Sequence, residues 1–246
     1  MQIIGHRGAR FEAPENTVPG FHYAVDLGVS AIEFDIRLTA DEQLVVIHDA
    51  TVDRTTNGTG GVHTFTLAEI QALDARSIFP DWPEPCRVPT FAEVLDVIAS
   101  LPDIMVEIKH DAPERLDVTV PLVLAEIARR GLDDQVTITS FETYPLEIVQ
   151  RLAPHIRRGF IGAWDTRDYL DTAIRLGARQ VDAKHTTADP ALVAEAKVLG
   201  LRVVGWPTNS QEELESVLTL QPDLFCTDRP SLLTDLYTAV EPTAGV

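Results

Sequence analysis

Short apolar segments alternate with amphipathic segments along most of the chain. The apolar segments are rich in β-branched residues and have the length of strands, whereas most segments between them carry apolar residues at helical spacing. This pattern predicts strands at residues 2–5, 31–36, 44–47, 104–108, 136–139, 158–161, 180–183, 202–205 and 224–227. It predicts helices at residues 19–27, 91–100, 120–130, 146–152, 169–176, 190–199 and 211–218. Alternation of this kind indicates a parallel sheet.

The second and third predicted strands are the exception to this rhythm. Too few residues separate them for a parallel crossover, which needs roughly ten to twelve or more, so we predict an antiparallel hairpin. A turn centred between Asp41 and Glu42 would place His48 opposite Asp35, and a bulge would shift this pairing by one residue. Without the returning strand, eight parallel strands remain, which is the number that closes a (β/α)8 barrel. We therefore predict a TIM barrel, with an open doubly wound sheet as the alternative.

The length of the chain, 246 residues, suits one such barrel. We predict a single domain over residues 1–246, with a small, irregular, lid-like insertion at about residues 50–90. Cys86 and Cys226 lack CxxC spacing, which indicates reduced structural thiols. No export signal precedes the first predicted strand, and no run of about 20 consecutive apolar residues occurs. We expect a cytoplasmic protein without a membrane span.

The charge of the chain disfavours polyanionic partners. The sequence has 20 lysine and arginine residues against 38 aspartate and glutamate residues, a net charge of −18. Such a chain repels nucleic acid and anionic membrane surfaces at long range. A small anionic substrate is still compatible with this charge, because a metal ion and a few cationic side chains can reverse the field inside a pocket.

Two histidines stand at or near predicted strand ends. His6 ends the first strand in Gly5-His6-Arg7-Gly8, and His48 follows the returning strand of the hairpin. Imidazoles titrate near neutral pH, so two of them at one pocket suit acid–base catalysis. The guanidinium of Arg7 suits bidentate binding of phosphate.

Several charged residues interrupt apolar strands at predicted C-terminal ends. Glu33 and Asp35 point to one face of their strand, as do Glu107 and Lys109, and barrel enzymes place their sites at this end. Three carboxylates without cysteine ligands suit one Mg²⁺ or Ca²⁺ ion better than zinc. The alternative is a buried salt-bridge network of Glu33 or Glu107 with Lys109 and Arg7.

An ordered series of motifs, spanning nearly the whole chain, strongly resembles the glycerophosphodiester phosphodiesterase family. His-Arg-Gly alone is a weak signal, but the complete series is highly specific. Its members here are His6-Arg7-Gly8, Pro14-Glu15-Asn16-Thr17, Glu33-Phe34-Asp35, His48-Asp49, Arg54-Thr55-Thr56-Asn57-Gly58, Val88-Pro89-Thr90-Phe91, Glu107-Ile108-Lys109, Ser140-Phe141, Trp206 with Asn209, and Thr227-Asp228-Arg229-Pro230.

The resemblance implies a TIM barrel that hydrolyses glycerophosphodiesters to sn-glycerol 3-phosphate and an alcohol with one divalent cation. Position by position, it implies that the metal ligands are Glu33, Asp35 and Glu107. It implies His6 and His48 as the acid–base pair, and Arg7 and Lys109 as the residues that bind the phosphate. It leaves open which histidine is the acid, and whether water or a substrate hydroxyl attacks. A lysophospholipase D activity and a catalytically silent phosphodiester-binding barrel are the alternatives.

Other positions are less tightly defined. The family commonly has Trp-Thr-Val-Asn after strand 7, where this chain has Trp206-Pro207-Thr208-Asn209. The proline stiffens the loop and removes a backbone donor, and Trp206 either stacks on the substrate or caps the barrel. We expect Asn16 or Thr17 to cap the first helix and Asp228 to cap the last one.

Overall fold

Eight parallel strands close into a barrel in the computed structural model, which describes residues 2–240. The strands are β1 Gln2–His6, β2 Ala31–Leu38, β3 Leu44–Val46, β4 Asp103–Ile108, β5 Val136–Ser140, β6 Arg157–Gly162, β7 Gln180–Lys184, β8 Arg202–Trp206 and β9 Leu224–Thr227. Around the barrel they run in the order β1, β2, β4, β5, β6, β7, β8, β9, and β1 pairs in parallel with both β2 and β9. The closed barrel confirms the predicted TIM fold and excludes the open sheet.

The connections between the strands are mostly helical. The α-helices are α1 Val18–Asp26, α2 Leu67–Gln71, α3 Phe91–Ile98, α4 Pro113–Arg130, α5 Thr143–Leu152, α6 Arg167–Arg175, α7 Pro190–Val198, α8 Gln211–Leu218 and α9 Pro230–Val240. All seven predicted helices are present, whereas α2 and α9 were not predicted and α4 begins at Pro113 rather than at residue 120. Among the described residues, no helix is both long and apolar enough to cross a membrane.

Thr17 is the residue that caps α1. Its Oγ1 accepts a hydrogen bond from the backbone N–H of Gly20 at 3.1 Å, and Pro19 occupies the first turn. This arrangement satisfies one of the free backbone donors at the start of the helix. Asn16 therefore does not serve as the cap, and its side chain is free to turn towards the barrel.

The main hydrophobic core lies between the barrel strands and the surrounding helices. A smaller apolar cluster fills the barrel interior and consists of Ile4, Ala31, Met105, Val204 and Leu224. At the N-terminal end of the strands, Asp103 forms ion pairs with Arg202 at 2.8 Å and with Arg157 at 3.3 Å. The barrel is therefore filled at its N-terminal end, which leaves the C-terminal end for a cavity.

The hairpin after β2 is present, but its register differs from the prediction. Strand β2 extends past β1 and pairs antiparallel with β3, with Ile36 opposite Val46. The backbone N–H of Ile47 donates to the carbonyl oxygen of Asp35 at 3.1 Å, so Ile47, and not His48, faces Asp35. The cause is a three-residue loop in which Glu42 is left-handed, with φ of 57°. The predicted pairing of Asp35 with His48 is wrong by one residue.

The segment between β3 and α3 lies beside the barrel and has a small core of its own. It contains a short 3₁₀ helix at Val62–Thr64 as well as α2. This core is the apolar cluster Val45, Ile47, Val52, Val62, Ile70, Ala75, Cys86 and Val88. Val45 belongs to β3, and Ile47 directly follows that strand. Because Ile47 belongs to this cluster, the segment anchors the chain directly before His48.

Candidate active site

A cavity of about 230 Å³ opens at the C-terminal end of the barrel. Seven of the eight predicted site residues line it, namely His6, Arg7, Glu33, His48, Glu107, Lys109 and Trp206. The eighth, Asp35, is fully buried beside them and contacts Arg7 and Lys109. The structure therefore brings together all eight residues, which come from β1, β2, β4, β8 and the segment after β3.

A tight turn after β1 sets the position of His6. Arg7 and Gly8 have left-handed backbones, with φ of 51° and 86°. A Cβ atom at Gly5 would lie 2.2 Å from the carbonyl oxygen of Gly8, so only glycine fits at that position. The backbone N–H of Arg7 donates to the carbonyl oxygen of Glu33 at 2.8 Å, which ties the turn to β2. His6 is thereby held at the rim, next to the first carboxylate of β2.

The imidazole of His6 is oriented by Asp228, which follows β9. Nδ1 of His6 lies 2.5 Å from Oδ1 of Asp228. Burial would raise the pKa of Asp228, but hydrogen bonds from His6 and Asn209 hold it below its ordinary value. Because an ionised carboxylate only accepts hydrogen bonds, Nδ1 carries the proton and Nε2 has its lone pair free. Nε2 lies 3.7 Å from Oε2 of Glu33, on the cavity side of the ring.

His48 has an equivalent partner in Asp49. Its Nδ1 lies 2.7 Å from Oδ1 of Asp49, whose Oδ2 accepts a hydrogen bond from Arg54 at 2.6 Å. Arg54 also donates to both carboxylate oxygens of Glu15, and Glu15 in turn accepts from Arg7 at 3.1 Å. Burial lowers the pKa of His48 to about 4, so its imidazole is neutral at pH 7. A continuous polar chain therefore connects the second histidine to the turn that carries the first.

Three carboxylates form a cluster at the C-terminal ends of β2 and β4. Glu33, Asp35 and Glu107 each have an oxygen within 4.8 Å of the others, and all three side chains are buried. Nζ of Lys109 lies 2.6 Å from Oε1 of Glu107 and 2.8 Å from Oδ1 of Asp35. Nε of Arg7 lies 3.3 Å from Oδ2 of Asp35. The salt-bridge network that the sequence left as an alternative is thus partly present.

The cations of this network do not balance the cluster. Burial, together with Asp35 and Glu107, raises the pKa of Glu33 well above its ordinary value, and burial raises the pKa of Glu107 to about 7. Lys109 and Arg7 outweigh burial at Asp35 and hold its pKa below the ordinary value. Within residues 2–240, Oε1 of Glu33 is buried without a hydrogen-bond partner. An oxygen donor set with an unsatisfied carboxylate suits a hard divalent cation.

Two aromatic side chains also line the cavity, Trp206 at the end of β8 and Phe141 directly after β5. The rings of Trp206 and Phe141 meet edge to face with centroids 6.3 Å apart, and Phe141 is 48% exposed at the mouth. Nζ of Lys184 lies 5.6 Å from the centre of the Trp206 ring. Trp206 therefore forms part of the cavity wall, and one of its ring faces is taken by a lysine of the protein itself.

Sequence reasoning missed the partners of the histidines. The carboxylate of Asp228, expected to cap the last helix, is instead engaged by His6 and by Asn209, whose Nδ2 donates to it at 2.9 Å. The side chain of Asn16, expected as a helix cap, donates to Asp35 at 2.7 Å. Asp228 is 222 residues away from His6 in the sequence, so local spacing gave no signal. Its membership of the motif series and its place after a barrel strand marked Asp228 as a site residue, but neither indicated its contact with His6.

The chain matches a known family over most of its length. The model of the Glycerophosphoryl diester phosphodiesterase family matches residues 6–232. A glycerophosphodiester phosphodiesterase of Caldanaerobacter subterraneus subsp. tengcongensis is 35% identical over 235 residues, which are 95% of this chain and 96% of that protein.

Solved structures resemble the whole barrel. The crystal structure of a glycerophosphodiester phosphodiesterase from Agrobacterium tumefaciens is 28% identical, with a TM-score of 0.82 over 96% of this chain and 99% of that one. An Oleispira antarctica phosphodiesterase, solved in complex with the product sn-glycerol-3-phosphate, is 24% identical, with a TM-score of 0.89 over 97% of each chain. From the family match and the close relative together, the chain belongs to the glycerophosphoryl diester phosphodiesterase family of enzymes.

Proposed function

We propose that this enzyme hydrolyses glycerophosphodiesters to sn-glycerol 3-phosphate and an alcohol, with His6 and His48 as the proton-transfer pair. The observation that carries the proposal is the position of two imidazoles, each anchored through Nδ1 by an aspartate, at one cavity beside a buried carboxylate cluster. The product bound to the Oleispira antarctica phosphodiesterase supports the choice of substrate.

The reaction forms one P–O bond and breaks another, so it needs two proton transfers. One imidazole takes a proton from the attacking oxygen through Nε2. The other reacts as an imidazolium, with protons on both ring nitrogens, and gives the proton on Nε2 to the leaving alkoxide. The attacking oxygen belongs to water or to the neighbouring glycerol hydroxyl. In the second case a cyclic phosphate forms first, and water then opens it with the two histidines in exchanged roles. Asp228 and Asp49 keep Nε2 of each ring directed away from the carboxylate partner.

The cations of the site bind the phosphate in this proposal. Arg7 and Lys109 both line the cavity and carry raised pKa values, since nearby carboxylates outweigh their burial, so both stay charged. A divalent cation, Mg²⁺ or Ca²⁺, held by Glu33, Asp35 and Glu107, would supply further stabilisation of negative charge on the phosphoryl oxygens. The orphaned oxygen of Glu33 supports this ligand set.

An assay of purified protein tests the reaction and the cation together. We expect release of glycerol 3-phosphate from glycerophosphoethanolamine or glycerophosphocholine, loss of turnover in EDTA, and recovery with Mg²⁺ or Ca²⁺. Undiminished turnover in EDTA after thorough dialysis would rule out the cation. Failure to hydrolyse every glycerophosphodiester in the panel would rule out the reaction.

Substitution of each histidine tests the proton-transfer pair. His6→Ala and His48→Ala should each lower kcat by about 10²-fold or more, the usual scale for a general acid or base. His22→Ala, at an exposed position in α1, is the matched control and should keep normal turnover. If either site variant turned over at the wild-type rate, that histidine would have no part in proton transfer.

The aromatic mouth gives one reason to keep a second substrate in the panel. Phe141 is half exposed beside Trp206, and such a surface also suits an acyl chain. A lysophospholipid arm therefore decides between head-group hydrolysis and a lysophospholipase D activity.

We also propose that one domain spans residues 1–246 and that residues 50–90 act as a lid-like insertion. The ion pair between Arg54 of this insertion and Glu15, which lies between β1 and α1, supports this proposal. A cytoplasmic location stays a prediction.

A further inference from the structure

A buried carboxyl group in the cavity has no part in the mechanism above. Asp182, in the middle of β7, lines the cavity floor and is only 7% exposed. Its neighbours on the floor are apolar side chains, among them Ile161 and Val204. No arginine, lysine or histidine forms an ion pair with Asp182 among residues 2–240. A buried carboxyl without a cation is costly, so its presence at the floor requires a specific partner.

A relay of side chains fixes the direction of this carboxyl. Nε2 of Gln180 donates to Oδ1 of Asp182 at 2.8 Å. Oε1 of Gln180 accepts a hydrogen bond from Nε of Arg202 at 2.9 Å, and Arg202 is itself paired with Asp103. Within the described chain, Oδ2 of Asp182 makes no hydrogen bond. The relay therefore leaves one oxygen of Asp182 available to the cavity.

The topology places Asp182 across the barrel from the carboxylate cluster. Three strands separate β7 from β2 in either direction around the closed sheet, so the two strands are opposite each other. Glu33 lines the cavity from β2 and Asp182 lines it from β7. A substrate whose phosphate lies by Arg7 and Lys109 would have another of its groups pointing at Asp182.

We infer that Asp182 binds a hydroxyl group of the glycerol half of the substrate and thereby selects for glycerol, an inference that rests on the proposed function. The floor is enclosed, whereas the mouth beside Phe141 is open. An enclosed subsite fits the half that all glycerophosphodiesters share, and the open mouth fits the variable alcohol. Burial raises the pKa of Asp182 to about 7, so the carboxyl is able to donate as well as accept a hydrogen bond near neutral pH.

Binding of two matched ligands tests this contact without relying on turnover. Isothermal titration calorimetry with sn-glycerol 3-phosphate and with propyl phosphate, in buffer containing Mg²⁺, compares the same carbon chain with and without hydroxyl groups. The wild type should bind glycerol 3-phosphate more tightly. Asp182→Ala should reduce this preference about tenfold, the scale of one hydrogen bond to a charged group. Asp182→Asn keeps a hydrogen-bonding side chain and should retain part of the preference.

Thr139→Val is the matched control. Thr139 is fully buried in β5, its hydroxyl has no hydrogen-bond partner within residues 2–240, and it does not line the cavity. This variant should keep the wild-type preference. Equal weakening of both ligands by Asp182→Ala, or an unchanged preference, would overturn the inference. If Asp182→Ala lost the preference for glycerol 3-phosphate but the wild type hydrolysed no diester, the proposed function would be contradicted and the Asp182 contact would still be supported.

Discussion

Each histidine of the site depends on an aspartate that fixes the proton on its ring. Asp228 accepts from Nδ1 of His6, and Asn209 holds Asp228 with two hydrogen bonds, of 2.9 Å to the side chain and 2.7 Å from the backbone. Asp49 has the same relation to His48. An imidazole held in this way presents a defined Nε2 to the cavity, which a freely rotating ring would not.

Asp228→Asn should therefore lower kcat with little change in KM. The amide nitrogen can donate to Nδ1, which moves the ring proton to Nε2 and blocks that nitrogen as a base. We expect a loss of about 10²-fold in kcat, measured with glycerophosphoethanolamine under saturating conditions.

A second histidine–aspartate pair provides the control for this experiment. His155 lies 3.0 Å from Asp133 on the surface, away from the cavity. Asp133→Asn should leave kcat and KM at wild-type values. A rise in KM alone in Asp228→Asn would show that Asp228 serves substrate binding and not the state of His6.

The motif series included the supporting residues Asp49, Asn209 and Asp228, but the sequence did not indicate which histidine each of them supports. Strand alternation correctly placed Glu33 and Asp35 on the face that Glu107 shares. The same rule applied to Gln180 and Asp182 would have marked a buried carboxyl in β7, yet no motif drew attention to it. The contact of Asp228 with His6 depends on closure of the barrel, so it could not be derived before the fold was known.

At the level of elements, the hairpin shows what spacing predicts and what it does not. The short connection between β2 and β3 required antiparallel pairing, and that pairing is present. The register depends on the backbone of one loop residue. The left-handed conformation of Glu42 belongs to a three-residue loop, whereas the predicted register required a loop with an even number of residues. Neither Asp41 nor Glu42 is a glycine, so this conformation could not be predicted from the residue types in the loop.

Glu42→Gly should stabilise the protein. A glutamate with φ of 57° is strained by its Cβ atom, and glycine adopts this conformation without that cost. The side chain of Glu42 is exposed and makes no hydrogen bond or ion pair among the described residues. We expect a gain of about 0.5–1 kcal/mol in the free energy of unfolding, measured by urea denaturation.

Ala40→Gly, in the same exposed turn, provides the opposite expectation. Ala40 does not have a positive φ, so glycine there only adds conformational entropy to the unfolded chain and should destabilise the protein. Destabilisation by both substitutions would mean that Glu42 is not strained in solution.

Helix α4 shows a different limit of sequence patterns. It runs from Pro113 to Arg130 with Pro121 inside it. A proline removes one hydrogen bond and clashes with the preceding turn, so it normally marks a helix start. Here buried residues on both sides of the proline, such as Leu116 and Val123, hold the helix against the barrel. Packing in the assembled fold therefore outweighs a local signal that is otherwise dependable.

For the whole molecule, a count of strands was sufficient to predict closure. Eight parallel strands with helices between them have one well-known closed arrangement, and it brings all C-terminal strand ends to one rim. The chemistry of the site follows from that geometry, since residues as distant as His6 and Trp206 meet at the same cavity. What the count could not supply was the interior, where the relay from Asp103 to Asp182 crosses between strands.

A divalent cation should stabilise the entire fold, because the three buried carboxylates share two cationic side chains, Lys109 and Arg7. An ion that binds the folded chain alone contributes about 2.7 kcal/mol at a hundredfold excess over its Kd. For a chain of this size the melting temperature should therefore rise by roughly 5–10 °C when Mg²⁺ or Ca²⁺ replaces EDTA. Differential scanning calorimetry measures this shift independently of activity.

Two variants locate the origin of that shift. Glu33→Gln removes a carboxyl whose ionisation is opposed by burial, Asp35 and Glu107, so it should raise the melting temperature in EDTA and lose most of the response to the cation. Asp103→Asn alters a buried carboxylate at the opposite end of the barrel, where it pairs with Arg202, and should lower stability while keeping the full response. If Glu33→Gln kept the full response, or Asp103→Asn lost it, the cation would bind somewhere other than the cluster of Glu33, Asp35 and Glu107.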